Sequence, residues 1–425
     1  MISRQDKIFL TIVLFLIALQ TVSPWGTMPL GNIVLWWGMD VLVLALILKV
    51  RPRFYDRANK TTYIIFAYLY WNISCIVRGG FVAENYWEWK NLFTMGFVLL
   101  LPTTIFISTN RLLVQTIFNV FIKYLLPAFI LFTAITYPIA WGVYLIPISV
   151  LLLFLPLLTR KWQIALLGIA LFAATASIAA RSNVIKFAVP FLFGLLFYVR
   201  PFVGVRLLGL GRLLLLGLPI TLFILALTGT FNVFKIDQYM KGDYTTVQES
   251  GETEDLTADT RTGLYVEVLA SAIYNEYVWL GRTPARGNDS ELFGAEIEAQ
   301  TKTGKFERYA NEVSVLNVFT WTGLIGVVLY FLVFFRATFL AVHRSKSWYM
   351  KILGLYVAFR WSYAWVEDFS RFDLSYILLW ILIGMCFSSS FRNMTDMEFK
   401  YWARGIFDIR YRKATLKKVR VKKQF

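Results

Sequence analysis

Three arginines and a glutamate fall in one polar stretch of an otherwise apolar 425-residue chain: Arg261, Arg282, Arg286 and Glu312. A guanidinium stays charged at any physiological pH, and its planar fork makes paired hydrogen bonds to phosphate oxygens. Arg282 and Arg286 lie in Gly281-Arg282-Thr283-Pro284-Ala285-Arg286-Gly287, where flanking glycines and Pro284 predict a tight loop holding the two side chains close. Such a pair suits a pyrophosphate if the arginines converge on one pocket. Arg261 stands at the start of a helical pattern over Thr262 to Leu280, with Asp259 or Thr260 as its cap. It serves either as an anion contact or as the partner of Asp259 or another carboxylate. Glu312 precedes an apolar run. There it is either a favourable first-turn charge, with Asn311 as the helix cap, or a base that takes a proton from an acceptor hydroxyl.

Other groups could line the same space. Glu367, Asp368, Arg371 and Asp373 form a second charged cluster, as exposed helix ends or as substrate contacts. Arg78, Glu84, Glu88 and Lys90 are interspersed with Tyr86, Trp87 and Trp89, aromatics that mark a membrane interface or stack on sugars. The spacing of Asp289, Glu291, Glu296 and Glu298 is not a metal motif, and the single histidine, His343, lies in a basic stretch, so no metal or cofactor is expected. Cys75 and Cys386 fall in apolar runs and read as packed free thiols.

The elements that position these residues are membrane helices. Hydrophobic residues make up 58% of the chain and charged residues only 16%, too few charges for a soluble protein. Continuous Leu, Ile, Phe and Val runs of near-spanning length recur, which excludes a β-barrel and predicts an all-α polytopic protein with about twelve spans. They read as 8–22, 31–48, 62–77, 91–108, 117–136, 141–158, 162–179, 183–199, 209–228, 313–335, 350–366 and 372–390, the fifth being the weakest pattern because of Asn119 and Lys123. The first is a retained signal anchor, since Thr21 to Trp25 offers no convincing cleavage site.

Lys and Arg gather after the even-numbered spans, from Lys49 to Lys60 and from Arg336 to Lys351 for example, which sets those ends and both termini in the cytoplasm. The chain thus divides into a membrane bundle of about nine spans (1–228), a partly helical extracytoplasmic loop (229–311), about three further spans (312–390) and a basic cytoplasmic tail (391–425). The loop holds 14 acidic and 8 basic residues, its Lys241 to Asp259 part reading as a mobile rim. The tail holds 11 basic and 3 acidic residues, supplies much of the formal +17, and suits anionic lipid headgroups; no nucleic-acid-reading module is present.

With this layout the chain resembles bacterial O-antigen and capsular polysaccharide polymerases, a family similar in turn to the O-antigen ligases. The resemblance is carried by Arg261, by Gly281-Arg282 to Gly287, and by Gly323-Leu324-Ile325-Gly326 in a following helix. It departs where those families have a His-Asn pair, because Asn311-Glu312 or Glu312-Val313 stands there. The resemblance implies a bacterial inner-membrane glycosyltransferase that joins polyprenyl-pyrophosphate-linked repeat units. Arg261, Arg282 and Arg286 would hold the pyrophosphate, and Glu312 with Arg261 would act in catalysis. Asn311, Glu367, Asp368, Arg371, Trp87 and Trp89 would be available to the glycan. Chain-length regulators and flippases would be partners. A ligase of finished chains, or a flippase or other transporter, are the alternatives.

Overall fold

The computed structural model describes residues 4–27, 30–55, 62–176, 181–228, 230–231, 245–247, 253–255 and 261–412. The expected mobile rim lies outside the described residues apart from two short antiparallel strands, β1 (Thr245–Val247) and β2 (Thr253–Asp255). Asp259 and Thr260 as caps, and the basic residues beyond Arg412, also lie outside them.

The chain is helical almost throughout. α1 (Arg4–Val22), α2 (Ile33–Phe54) and α3 (Tyr63–Val82) lead to α4 (Tyr86–Leu100), which continues through a 3₁₀ turn into α5 (Thr104–Ser108). α6 (Arg111–Val120) passes through a π turn into α7 (Leu126–Thr133). Then come α8 (Trp141–Tyr144), α9 (Ile146–Leu152), α10 (Arg160–Thr175), α11 (Arg181–Leu195) and α12 (Val205–Leu227). The polar insertion supplies α13 (Thr262–Tyr274), β3 (Asn288–Asp289), α14 (Gly294–Thr301) and β4 (Glu307–Arg308). α15 (Ser314–His343), α16 (Trp348–Tyr363), α17 (Leu374–Phe387), α18 (Ser389–Arg392) and α19 (Asp396–Phe407) complete the fold.

Among the described residues seven helices are long and apolar enough to cross a membrane: Asp6–Trp25, Ile33–Arg53, Tyr63–Val82, Tyr86–Ser108, Arg111–Thr133, Val205–Ala226 and Ser314–His343. The chain therefore has the build of a polytopic helical membrane protein. The stretch expected as a sixth span, 141–158, is not one helix. Pro147 and Pro156 each lack the N–H that a continuous ladder needs, and the segment is cut into α8, α9 and a 3₁₀ turn. It is nonetheless almost wholly buried in the main core. The fifth expected span begins earlier than 117, at Arg111, where the Asn110 side chain caps α6.

The connections collect at two ends of the bundle. At one, Thr27 and Tyr137 N–H groups donate to Ile135 and Trp25, Leu374 N–H donates to Thr21, and Lys186 meets Glu367. At the other, Gln115 reaches Trp402, Ser388 reaches Thr109, and Arg404 reaches Leu157, so α19 lies across the base. The polar insertion docks on the first end.

α15 is interrupted at Gly323, whose φ of 68° and ψ of −174° are not helical. A side chain there would meet the Trp279 carbonyl at 2.3 Å, and one on Gly281, also at positive φ, would meet Gly323 N at 2.4 Å. Gly281 and Gly323 are therefore where two backbones touch. Gly326 is packed against Thr322, so the Gly-x-x-Gly motif combines a break with close packing.

Candidate functional site

The β3–β4 hairpin sorts the charges of the insertion onto two sides. Asn288 pairs with Arg308 and Asp289 with Glu307. Successive strand residues face opposite ways, so Glu307 and Arg308 serve different neighbourhoods.

On the Glu307 side, Arg282 donates to Asp289 Oδ1 at 2.8 Å, to the Gly287 carbonyl at 2.9 Å and to Asn275 at 3.2 Å, and lies 3.2 Å from Glu307. Arg286 makes a forked contact to both Glu307 oxygens. The Glu307 carboxylate is 3% exposed. Lys305 donates to Glu84 at 2.8 Å and to the buried Glu88 at 2.5 Å, tying the insertion to the start of α4. Charge compensation sets the direction of the pKa shifts. Hydrogen bonds to Lys305 hold Glu84 below the usual carboxylate range. At Asp289 burial pushes upward, but Arg282 and Asn275 outweigh it and the group is lowered. The Glu307 contact raises Arg286 further. Arg282 and Arg286 are thus brought together, as the loop composition predicts, but onto carboxylates of their own chain.

On the Arg308 side, Arg261 Nη1 donates to Glu312 Oε2 at 2.5 Å and its Nε to the Val366 carbonyl at 3.3 Å. Arg308 Nη2 donates to the other Glu312 oxygen at 3.3 Å, while the guanidinium lies 4.0 Å from the Phe293 ring centroid. Arg308 Nη1 is buried with no hydrogen-bond partner among the described residues. Glu312 is half-exposed, at 51%. Of the two alternatives for Arg261, the partner carboxylate is therefore present, and it is the expected base itself. Arg261 and the Arg282–Arg286 pair stand in separate clusters.

Beside Arg261 an apolar cavity of about 370 Å³ opens between α11, α12, α13 and α16. Leu222, Phe223, Thr262, Tyr265, Trp365 and Val366 are among its walls. Thr262 follows Arg261 directly, and Val366 accepts its hydrogen bond, so the charged cluster stands at the cavity's edge.

Asn311 does not cap α15, and Glu312 is not in its first turn. The helix begins at Ser314, after Val313, with no side-chain cap. Instead the Asn317 side chain folds back, accepting from Asn311 N at 2.6 Å and donating to Asn311 O at 2.8 Å. Asn317 and Ser314 both reach Asp368, which also accepts from Ser370 N and Arg371. Asn311 donates to Asn288 in the hairpin. This network holds the Glu312 backbone between the hairpin and the α16–α17 connection. Glu367 meets Lys186 of α11 at 3.5 Å, and Asp373 caps α17. Trp87 and Trp89 lie on α4: Trp87 carries Lys90 at 4.5 Å over its ring, and Trp89 is partly exposed beside Phe93.

The expected helix over Thr262 to Leu280 ends at Tyr274, because Glu276 takes φ 56° and turns the chain back toward the bundle. Among the described residues there is no group of His, Cys, Asp or Glu that could hold a metal, and both cysteines are buried and free. Sequence reasoning passed over Arg308, Lys305, Glu307 and Lys186. Arg308 had a usable signal, its i,i+4 spacing from Glu312, whereas Lys186 and Glu367 are joined only by tertiary packing. No protein-family model, curated protein or solved structure matches this chain.

Proposed function

We propose that this chain joins polyprenyl-pyrophosphate-linked oligosaccharide repeats, forming O-antigen, capsular or exopolysaccharide at the extracytoplasmic face of a bacterial inner membrane. The observation that carries this reading is the apolar cavity whose wall residues Thr262 and Val366 adjoin Arg261, which Glu312 joins to Arg308. A polyprenyl chain needs apolar walls, and a diphosphate at its end needs cations at their rim. In this reading the chain makes twelve passes, some as short or broken helices, with the 229–311 loop outside and both termini in the cytoplasm.

The diphosphate displaces Glu312 from Arg261 and Arg308, and the buried Arg308 Nη1 gains a partner. The freed Glu312 accepts the proton of an acceptor sugar hydroxyl. That oxygen bonds to the donor's anomeric carbon, the bond from this carbon to the diphosphate oxygen breaks, and polyprenyl diphosphate leaves. The arginines neutralise the charge that develops on it. Arg282 and Arg286 keep the hairpin in shape. Asn311, Asp368 and Arg371 border the acceptor side, with Glu367, Trp87 and Trp89 available to longer glycans. The cytoplasmic tail meets anionic lipids, and chain-length regulators and flippases act beside the enzyme.

A strain lacking the chain tests the reading. Lipid-linked single repeats should collect on the outer face while long chains vanish. Finished but unattached chains would instead identify a ligase, and single repeats retained on the inner face a flippase.

A further inference from the structure

The insertion does not simply rest on the bundle. At the α15 break the chain from Tyr277 to Arg282 enters the gap, and its backbone replaces the missing helical bonds. Leu324 N–H donates to Val278 O at 2.8 Å and Ile325 N–H to Trp279 O at 3.3 Å, while Arg282 N–H donates to Thr320 O at 2.7 Å. Trp71 Nε1 satisfies the Thr322 carbonyl at 2.9 Å. Arg78 of α3 donates to Leu280 O at 2.7 Å and to Gly281 O at 3.1 Å, and Gly281 N–H closes on Tyr277 O at 2.8 Å. Every carbonyl from Tyr277 to Gly281 therefore has a protein donor. A water-exposed loop needs no such saturation, whereas non-helical backbone at membrane depth does.

Depth follows from packing. Tyr68 lies against Tyr330, and Gly326 faces Trp71, so α3 and α15 run antiparallel with Gly323 about level with Cys75. Cys75 is about seven residues short of the end of α3, or roughly 10 Å inside it at 1.5 Å per residue. The outer surface of the inserted chain is apolar except at the Glu276 turn, which is also exposed: Ile273, Tyr274, Trp279 and Leu280 are 72%, 85%, 65% and 48% exposed. Through Arg78 it adjoins the outward face of α3, where Tyr70, Val77 and Phe81 are also exposed. α3 has the length and hydropathy of a membrane span, so that face is a lipid face and the patch continues it.

We propose that residues 273–281 form a re-entrant hook that enters the bilayer and binds lipid hydrocarbon through Ile273, Trp279 and Leu280, fastening the insertion to the broken α15. This does not depend on the glycosyl-transfer reading. It requires only that the chain spans a membrane.

The test places single nitroxide labels at I273C, W279C and L280C in the full chain, reconstituted in vesicles of phosphatidylethanolamine and phosphatidylglycerol. Cys75 and Cys386 are buried and stay unlabelled. Y70C is the lipid control and E296C, on the exposed side of α14, the water control. All three hook labels should collide more with oxygen than with a water-soluble nickel chelate, as Y70C does. Nickel accessibility like that of E296C would overturn the proposal. Protection from both reagents would also overturn it, because a protein partner would then cover the patch. Should W279C disturb the hook's hydrogen bonds, position 273, at the end of α13, decides the result.

Discussion

Arg286 with Glu307 and Arg261 with Glu312 are the same chemical pair in two settings. Glu307 is 3% exposed, and the two arginines on it are 14% and 17% exposed. Glu312 is 51% exposed, between arginines at 23% and 12%. The Glu307 carboxylate has left water altogether and is compensated by guanidiniums and the Gly287 N–H. Removing it takes the forked partner from Arg286, leaving only Glu88 at 3.9 Å, while Arg282 keeps Asp289. Glu312 keeps access to water, so an anion that displaced it from its arginines would leave it solvated. An arginine count alone does not distinguish a structural clasp from a binding site; the exposure of the partner carboxylate does.

The largest effect should come from Glu307→Ala. Breaking a buried ion pair from one side costs about 3–5 kcal/mol. The purified variant in detergent should lose thermal stability accordingly, with the insertion becoming accessible to protease. Arg261→Ala should do the reverse: transfer should fall about 10²–10³-fold, the scale seen when one preorganised donor to a developing charge is removed, while the melting temperature hardly moves. Arg308→Ala should behave likewise. If Arg282→Ala abolished binding of a polyprenyl-diphosphate glycan while leaving stability intact, the contrast between the two clusters would be broken. Lys305→Ala should come next, at about 1.5 kcal/mol of stability, the lower range for hydrogen bonds to a charged group. Glu88 would keep Asn85 and the Glu84 N–H, so this loss is partial.

Much of the frame was legible in the sequence because apolar run length and loop charge are local signals. The helices α1 to α4, and the start of α13 at the arginine that precedes it, follow from them. The breaks within 141–158 are hidden from run length because hydropathy reports burial without helicity; Pro147 and Pro156 are their sequence sign. The split of the arginines was not legible. It depends on a two-residue strand pairing, Asn288 with Arg308 and Asp289 with Glu307, too short to leave an alternating pattern. Nor could the Gly323 break be assigned, since Gly-x-x-Gly in an apolar run fits continuous close packing equally well. What settles it is Gly281, forty-two residues earlier, occupying the same space.

The smallest predicted effect extends the comparison to a carboxylate that pairs with backbone instead of a guanidinium. Asp373, at the start of α17, is buried and accepts the Tyr376 N–H at 2.9 Å. Asparagine can still accept that bond, whereas alanine leaves the first turn of α17 without its cap. Asp373→Ala should therefore lose about 1 kcal/mol of stability, read as a fall of a few degrees in Tm in the same detergent, and Asp373→Asn should stay close to the parent protein. If Asp373→Asn instead fell as far as Asp373→Ala, the charge of Asp373 beside Arg371, and not the cap, would be what holds the start of α17. Burial alone would then not tell which carboxylates of this chain act through their charge.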